Sequence, residues 1–126
     1  MKKVIFFTCF LCLTSTVFLH AQSLDNTNWK AFFASPVNDT LTIHIKGDSS
    51  FVTNSSGEIL VHSNYTIAGD TLTLSDYGNG EYVCPDANGR YTINLKGDNL
   101  IFTLIEDTCD GRANSLNGIT WIKAPQ

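Results

Sequence analysis

The chain has 126 residues, 43% hydrophobic and 16% charged, with 12 acidic against 8 basic side chains and a formal net charge of -4. That length holds one domain with a modest core and leaves little room for a second. The acidic excess and the lack of clustered Lys and Arg exclude nucleic acid and anionic membrane surfaces as partners.

The first segment has the three-part layout of a secretory signal: Lys2 and Lys3, an apolar stretch from Val4 to Leu19, then Leu19-His20-Ala21 before Gln22. Thr8, Thr14, Ser15 and Thr16 interrupt the stretch, which falls short of the roughly 20 apolar residues that a spanning helix needs. Cleavage after Ala21 is expected, giving a signal peptide over 1–21, a mature domain over 22–126 and no membrane span after cleavage. Cys9 and Cys12 lie inside the stretch and lack the context of a lipid-anchoring cysteine. Loss of Lys2 and Lys3 makes the mature chain more acidic, and loss of Cys9 and Cys12 leaves only Cys84 and Cys109. An even pair in an oxidising compartment reads as a disulfide. The two are too far apart in sequence for a close-spaced metal or redox pair.

An N-terminal strand is expected around Trp29. From Thr40 onward short alternating runs are separated by tight turn signals, which is the pattern of an all-β domain. Leu41, Ile43 and Ile45 oppose Thr40, Thr42, His44 and Lys46, and Ile59, Val61, Tyr65 and Ile67 oppose Leu60, His62, Asn64 and Thr66. Further strands are expected over Phe51–Thr53, Thr71–Ser75, Glu81–Val83, Tyr91–Lys96, Leu100–Ile105 and Thr120–Lys123, about eight or nine in all. Gly47-Asp48, Ser56-Gly57, Gly69-Asp70, Gly78-Asn79-Gly80, Asn88-Gly89 and Gly97-Asp98 are the predicted turns. Links this short pair successive strands in order, and closing such a meander removes its two edges. The expected fold is a single antiparallel up-and-down β-barrel of about eight strands, with an open sandwich as the fallback. Leu100–Ile105 is apolar on both faces, and Ala31-Phe32-Phe33-Ala34 is the candidate cover for its outer side.

Catalytic constellations are not legible. His44 and His62 sit on the polar sides of their strands with no second His or Cys close by, and read as solvated. There is no Gly-x-Ser-x-Gly elbow and no phosphate-cradling glycine loop. Glu106, Asp107 and Asp110 gather near Cys109, and Asp76 lies across a turn from Glu81, but neither set has calcium-loop spacing, so both read as solvated acidity. No catalytic residue, metal site or cofactor is expected. Trp29, Tyr65, Tyr91, Phe102 and Trp121 lie where they can face the interior, with packing as the plainer role. Tyr65, Tyr91, Phe102 and Trp121 are the candidate ligand-binding set, Tyr65 and Tyr91 because their hydroxyls would orient a ligand. Asn38, Asn54 and Asn64 begin Asn-x-Ser/Thr triplets, which matter only in a eukaryotic secretory pathway.

Residues 84 to 123 carry a more specific arrangement: Cys84, Gly89-x-Tyr91, Gly97-Asp98-x-Leu100-x-Phe102, Asp107-x-Cys109-x-x-Arg112 and Trp121. It resembles the lipocalin-like, calycin-type β-barrel proteins secreted by bacteria. Asn28-Trp29 is similar to the first-strand Trp region of lipocalins, although Thr27 stands where the family has Gly. The resemblance implies that Arg112 packs over Trp29 and closes one barrel end, a cation–π contact of about 0.5–2 kcal/mol. An Arg112 paired with Asp107 or Asp110 is the alternative. The leading expectation is a secreted or periplasmic, non-enzymatic module holding a small apolar or amphipathic ligand inside the barrel. A filled barrel acting on a protein partner through its rim and loops is the second.

Overall fold

The computed structural model describes residues 23–126. The expected signal peptide, with Cys9 and Cys12, lies outside the described residues. Among the described residues the fold is all-β: eight strands, β1 (Thr27–Phe33), β2 (Asp39–Lys46), β3 (Ser49–Thr53), β4 (Ile59–Ala68), β5 (Thr71–Tyr77), β6 (Asn88–Lys96), β7 (Asn99–Glu106) and β8 (Thr120–Ala124), with one helix, α1 (Asp110–Leu116), before β8. Every strand pairs antiparallel with its neighbour in sequence, and β8 returns to β1 through Asn28↔Ala124, Trp29↔Lys123 and Lys30↔Ile122. The expected closed meander is therefore the observed architecture.

Alternation dictates which side chains point inward. Trp29 and Ala31, Ile43 and Ile45, Leu72 and Leu74, Leu100 and Phe102 are buried at every second position of their strands. Leu24 and Leu116 join the same core from the segments before β1 and at the end of α1.

The connections differ sharply between the two ends. At one end β2–β3, β4–β5 and β6–β7 are joined by two-residue loops, Gly47-Asp48, Gly69-Asp70 and Gly97-Asp98. Each loop opens on a glycine with φ near +60° (61°, 62° and 58°), the left-handed conformation that a side chain would strain. The carbonyl of each loop Asp accepts an N–H from the strand after the hairpin: Tyr65 to Asp48 (2.9 Å), Ile93 to Asp70 (2.8 Å) and Lys123 to Asp98 (2.8 Å). The other end carries the long connections 34–38, 54–58, 78–87 and 107–119.

Several expectations need correction. Glu81–Val83 is not a strand and belongs to the long β5–β6 connection, while Asn88-Gly89 is not a turn and opens β6. Ala31-Phe32-Phe33 is part of β1 and does not cover β7; Ala31 is buried inside and Phe32 is 65% exposed outside. Helix α1 has only seven residues, too short for helical periodicity to show in the sequence.

Candidate functional site

The barrel interior is packed on one side and hollow on the other. Against β6 and β7, Tyr91 and Leu100 are fully buried, and the Tyr91 and Phe102 rings meet edge to face at 6.3 Å. Against β2 to β5 a cavity of about 630 Å³ remains, lined by Leu41, Ile43, Ile45, Val52, Val61, Leu72 and Leu74, with Phe102 and Trp121 opposite. Leu24 and Leu116 also line it. The few polar groups inside are Ser50, Ser63 and Asp76, all buried, together with Tyr65 and Arg112. Exposed Val37 and Tyr82 mark where it meets solvent at the end with the long connections.

Three of the four candidate ligand-binding residues, Tyr65, Phe102 and Trp121, line this cavity. The Tyr65 hydroxyl donates to the Gly47 carbonyl; burial, then the charges of Asp25 and Asp48, hold it above the ordinary phenol pKa. Tyr91 does not line the cavity. Its hydroxyl donates to Asp107, and burial, then that bond and the Asp107 charge, raise its pKa. Among the described residues the indole N–H of Trp121 has no hydrogen-bond partner, and it is buried from the cavity as well as from solvent.

Above the cavity lies a cluster whose two carboxylates, Asp76 and Asp107, were expected to be solvated. The Arg112 guanidinium donates through Nε to Asp107 Oδ2 (2.7 Å) and through Nη2 to Asp107 Oδ1 (2.9 Å) and the Ala87 carbonyl (2.7 Å). Its Nη1 sits 3.0 Å from Asp76 Oδ1 as an ion pair without aligned hydrogen-bond geometry. Asp76, only 5% exposed, also accepts from Ser63 Oγ (2.7 Å) and the Cys84 N–H (3.2 Å). Asp107 takes the Cys109 N–H as well (2.8 Å). Burial pushes the Asp107 carboxyl up, but the hydrogen bonds from Arg112, Tyr91 and Cys109 and the Arg112 charge outweigh it, holding the group below the usual carboxylate range. Burial likewise opposes the Arg112 charge, yet the Asp107 hydrogen bonds and the two carboxylate charges raise its pKa.

This arrangement corrects the expected barrel closure. Trp29 lies at the end with the two-residue hairpins, where its Nε1 donates to Thr27 Oγ1 (2.8 Å), whereas Arg112 is bound at the opposite end. The alternative partner Asp107 is the one observed, and Asp110 is exposed.

Cys84 and Cys109 form the expected disulfide, with Cα atoms 6.0 Å apart. It fastens the β5–β6 connection to the start of α1 and stabilises the closed form by about 3 kcal/mol in the chain-entropy model. Gly89 explains the rest of the motif: a Cβ there would overlap Asp107 Oδ2 and come within 2.9 Å of Tyr91 Cε2. Gly89, Tyr91, Asp107, Cys109 and Arg112 are thus one packed unit, spread over 24 sequence positions but meeting at a single point.

Among the described residues no group of three or more His, Cys, Asp or Glu is placed to hold a metal. His44 and His62 lie on the outer wall in a cross-strand row with Phe51 and Tyr77; His44 stacks on Phe51 at 4.5 Å and His62 on Tyr77 at 5.4 Å. His44 is half-buried instead of fully solvated, with Asn28 Oδ1 at 3.1 Å and Thr53 Oγ1 at 2.9 Å from its ring nitrogens. Of the Asn-x-Ser/Thr positions, Asn38 and Asn64 are exposed, while the Asn54 side chain accepts the Ser56 and Glu58 N–H groups and builds its own turn.

No family model matches the sequence, and no curated protein or solved structure matches it.

Proposed function

We propose that this barrel is a non-enzymatic binding module that holds a small, predominantly apolar molecule in the hollow between β2–β5 and Trp121. The observation that carries this reading is the cavity of about 630 Å³, within the range of roughly 300–1,000 Å³ typical of small-molecule sites. Closure of the sheet with an aliphatic lining supplies the burial of apolar surface that drives such binding. A filled interior would have favoured action on a protein partner through the rim; the hollow favours the ligand. We infer lipocalin-like kinship from the Cys84 to Trp121 motif together with the closed meander. Export to the periplasm or beyond rests on the amino-terminal layout, and a disulfide fits such an oxidising compartment.

The test is binding of a neutral apolar fluorophore, 1-aminoanthracene, to the disulfide-bonded protein. Saturable binding with Kd of about 10 µM or tighter is expected. The Ser50→Phe variant, which places a ring in the hollow, should weaken it about tenfold or more while the chain stays folded by circular dichroism. Absence of saturable binding to the wild type, or equal binding by Ser50→Phe, overturns the proposal.

A further inference from the structure

We infer that the cavity selects an apolar molecule bearing a cationic head group, such as an alkylammonium, and discriminates against carboxylates such as fatty acids. The inference rests on the ligand reading above and deepens it.

The charges around the cavity carry it. Among the described residues Arg112 is the one basic side chain on the lining, and its guanidinium is already engaged by both oxygens of Asp107, by the Ala87 carbonyl and by Asp76. The buried cluster thus sets two carboxylates against one cation, with Asp76 on the cavity side. An incoming carboxylate would have to displace one of those partners from Arg112, leaving a buried charge unmatched. Nearer solvent the lining adds Glu81 and Asp110, both exposed, and, among the described residues, no lysine. Tyr82, 61% exposed beside Glu81, adds an aromatic ring to the same opening. The lining thus joins an aliphatic interior to an acidic, aromatic-flanked opening, and that combination suits an ammonium on an apolar body.

The experiment compares three probes of equal chain length, decylamine, decanol and decanoate, each titrated near neutral pH against the bound fluorophore at about 20 mM and about 500 mM salt. At low salt decylammonium is expected to bind about tenfold tighter than decanol, and decanoate about tenfold weaker than decanol. High salt should narrow both gaps. The E81Q/D110N double variant should narrow the ammonium-to-alcohol ratio to about twofold. Decanoate binding as tightly as decanol, or an ammonium preference that E81Q/D110N leaves intact, overturns the charge selection while the cavity reading stands. Failure of all three to displace the bound fluorophore overturns the charge selection, whereas absence of saturable fluorophore binding overturns both.

Discussion

The two ends of the barrel solve the same closure problem by different means. At one end three glycine-aspartate loops repeat the same two-residue turn, and each hands its Asp carbonyl to the next strand. At the other the chain wanders through four longer connections and needs fasteners: the Cys84–Cys109 bond, the Arg112 cluster and α1. Local backbone geometry is enough where the chain turns at once, whereas long connections must be held by contacts between residues distant in sequence. The cavity opens at the second end, so the groups that fasten the lip also border the proposed binding site.

The sharpest way to break this comparison is Arg112→Ala, which leaves Asp76 and Asp107 buried without their cation. A loss of about 3–5 kcal/mol is expected in urea unfolding. A loss below about 1 kcal/mol would mean that the cluster does not hold the open end. At the tight end Gly69→Ala puts a side chain at φ +62° with open space around it, so only backbone strain is felt, about 1–2 kcal/mol in the same assay. A larger loss for Gly69→Ala than for Arg112→Ala would reverse the ranking of the two ends. The smallest effect belongs to the wall between them. Burial, then the charges of Lys46 and Lys30, lower the His44 pKa, so the unfolded chain binds that proton more readily. Its contribution is complete above the ordinary value near about 6.5 and is lost as pH falls below it. Urea midpoints measured at about pH 7.5 and about pH 5.5 should fall further for the wild type than for His44→Gln. Parallel falls would remove His44 as a contributor.

The same contrast explains what the sequence revealed. Turn chemistry and inward alternation are local, so the closed meander and the three glycine-aspartate hairpins were legible residue by residue. Asp76 and Asp107 looked solvated because a carboxylate carries no sign of burial until its partner is known, and Arg112 is distant in the chain from Asp76 and Ala87. Asn88-Gly89 carries a strong turn signal, yet Gly89 lacks a side chain because Asp107 occupies that space. The spacing Gly89-x-Tyr91 with Asp107-x-Cys109-x-x-Arg112 held the clue to the cluster. The expectation of Arg112 over Trp29 came from resemblance, and the structure binds the same residue at the far end. The hollow itself was beyond sequence reasoning, since inward alternation fixes which side chains face the axis but not whether they meet.

The three Asp carbonyl bridges bear on how this scaffold tolerates change. Each ties a hairpin to the strand that follows it, so the base is stitched by backbone atoms and owes little to side-chain identity. Substitution or lengthening within 34–38 or 54–58, away from the Arg112 fastening, can therefore reshape the lip while the base stays as it is. A scaffold built this way can have its rim rewritten while its base is kept, as a vessel takes a new lid without being recast.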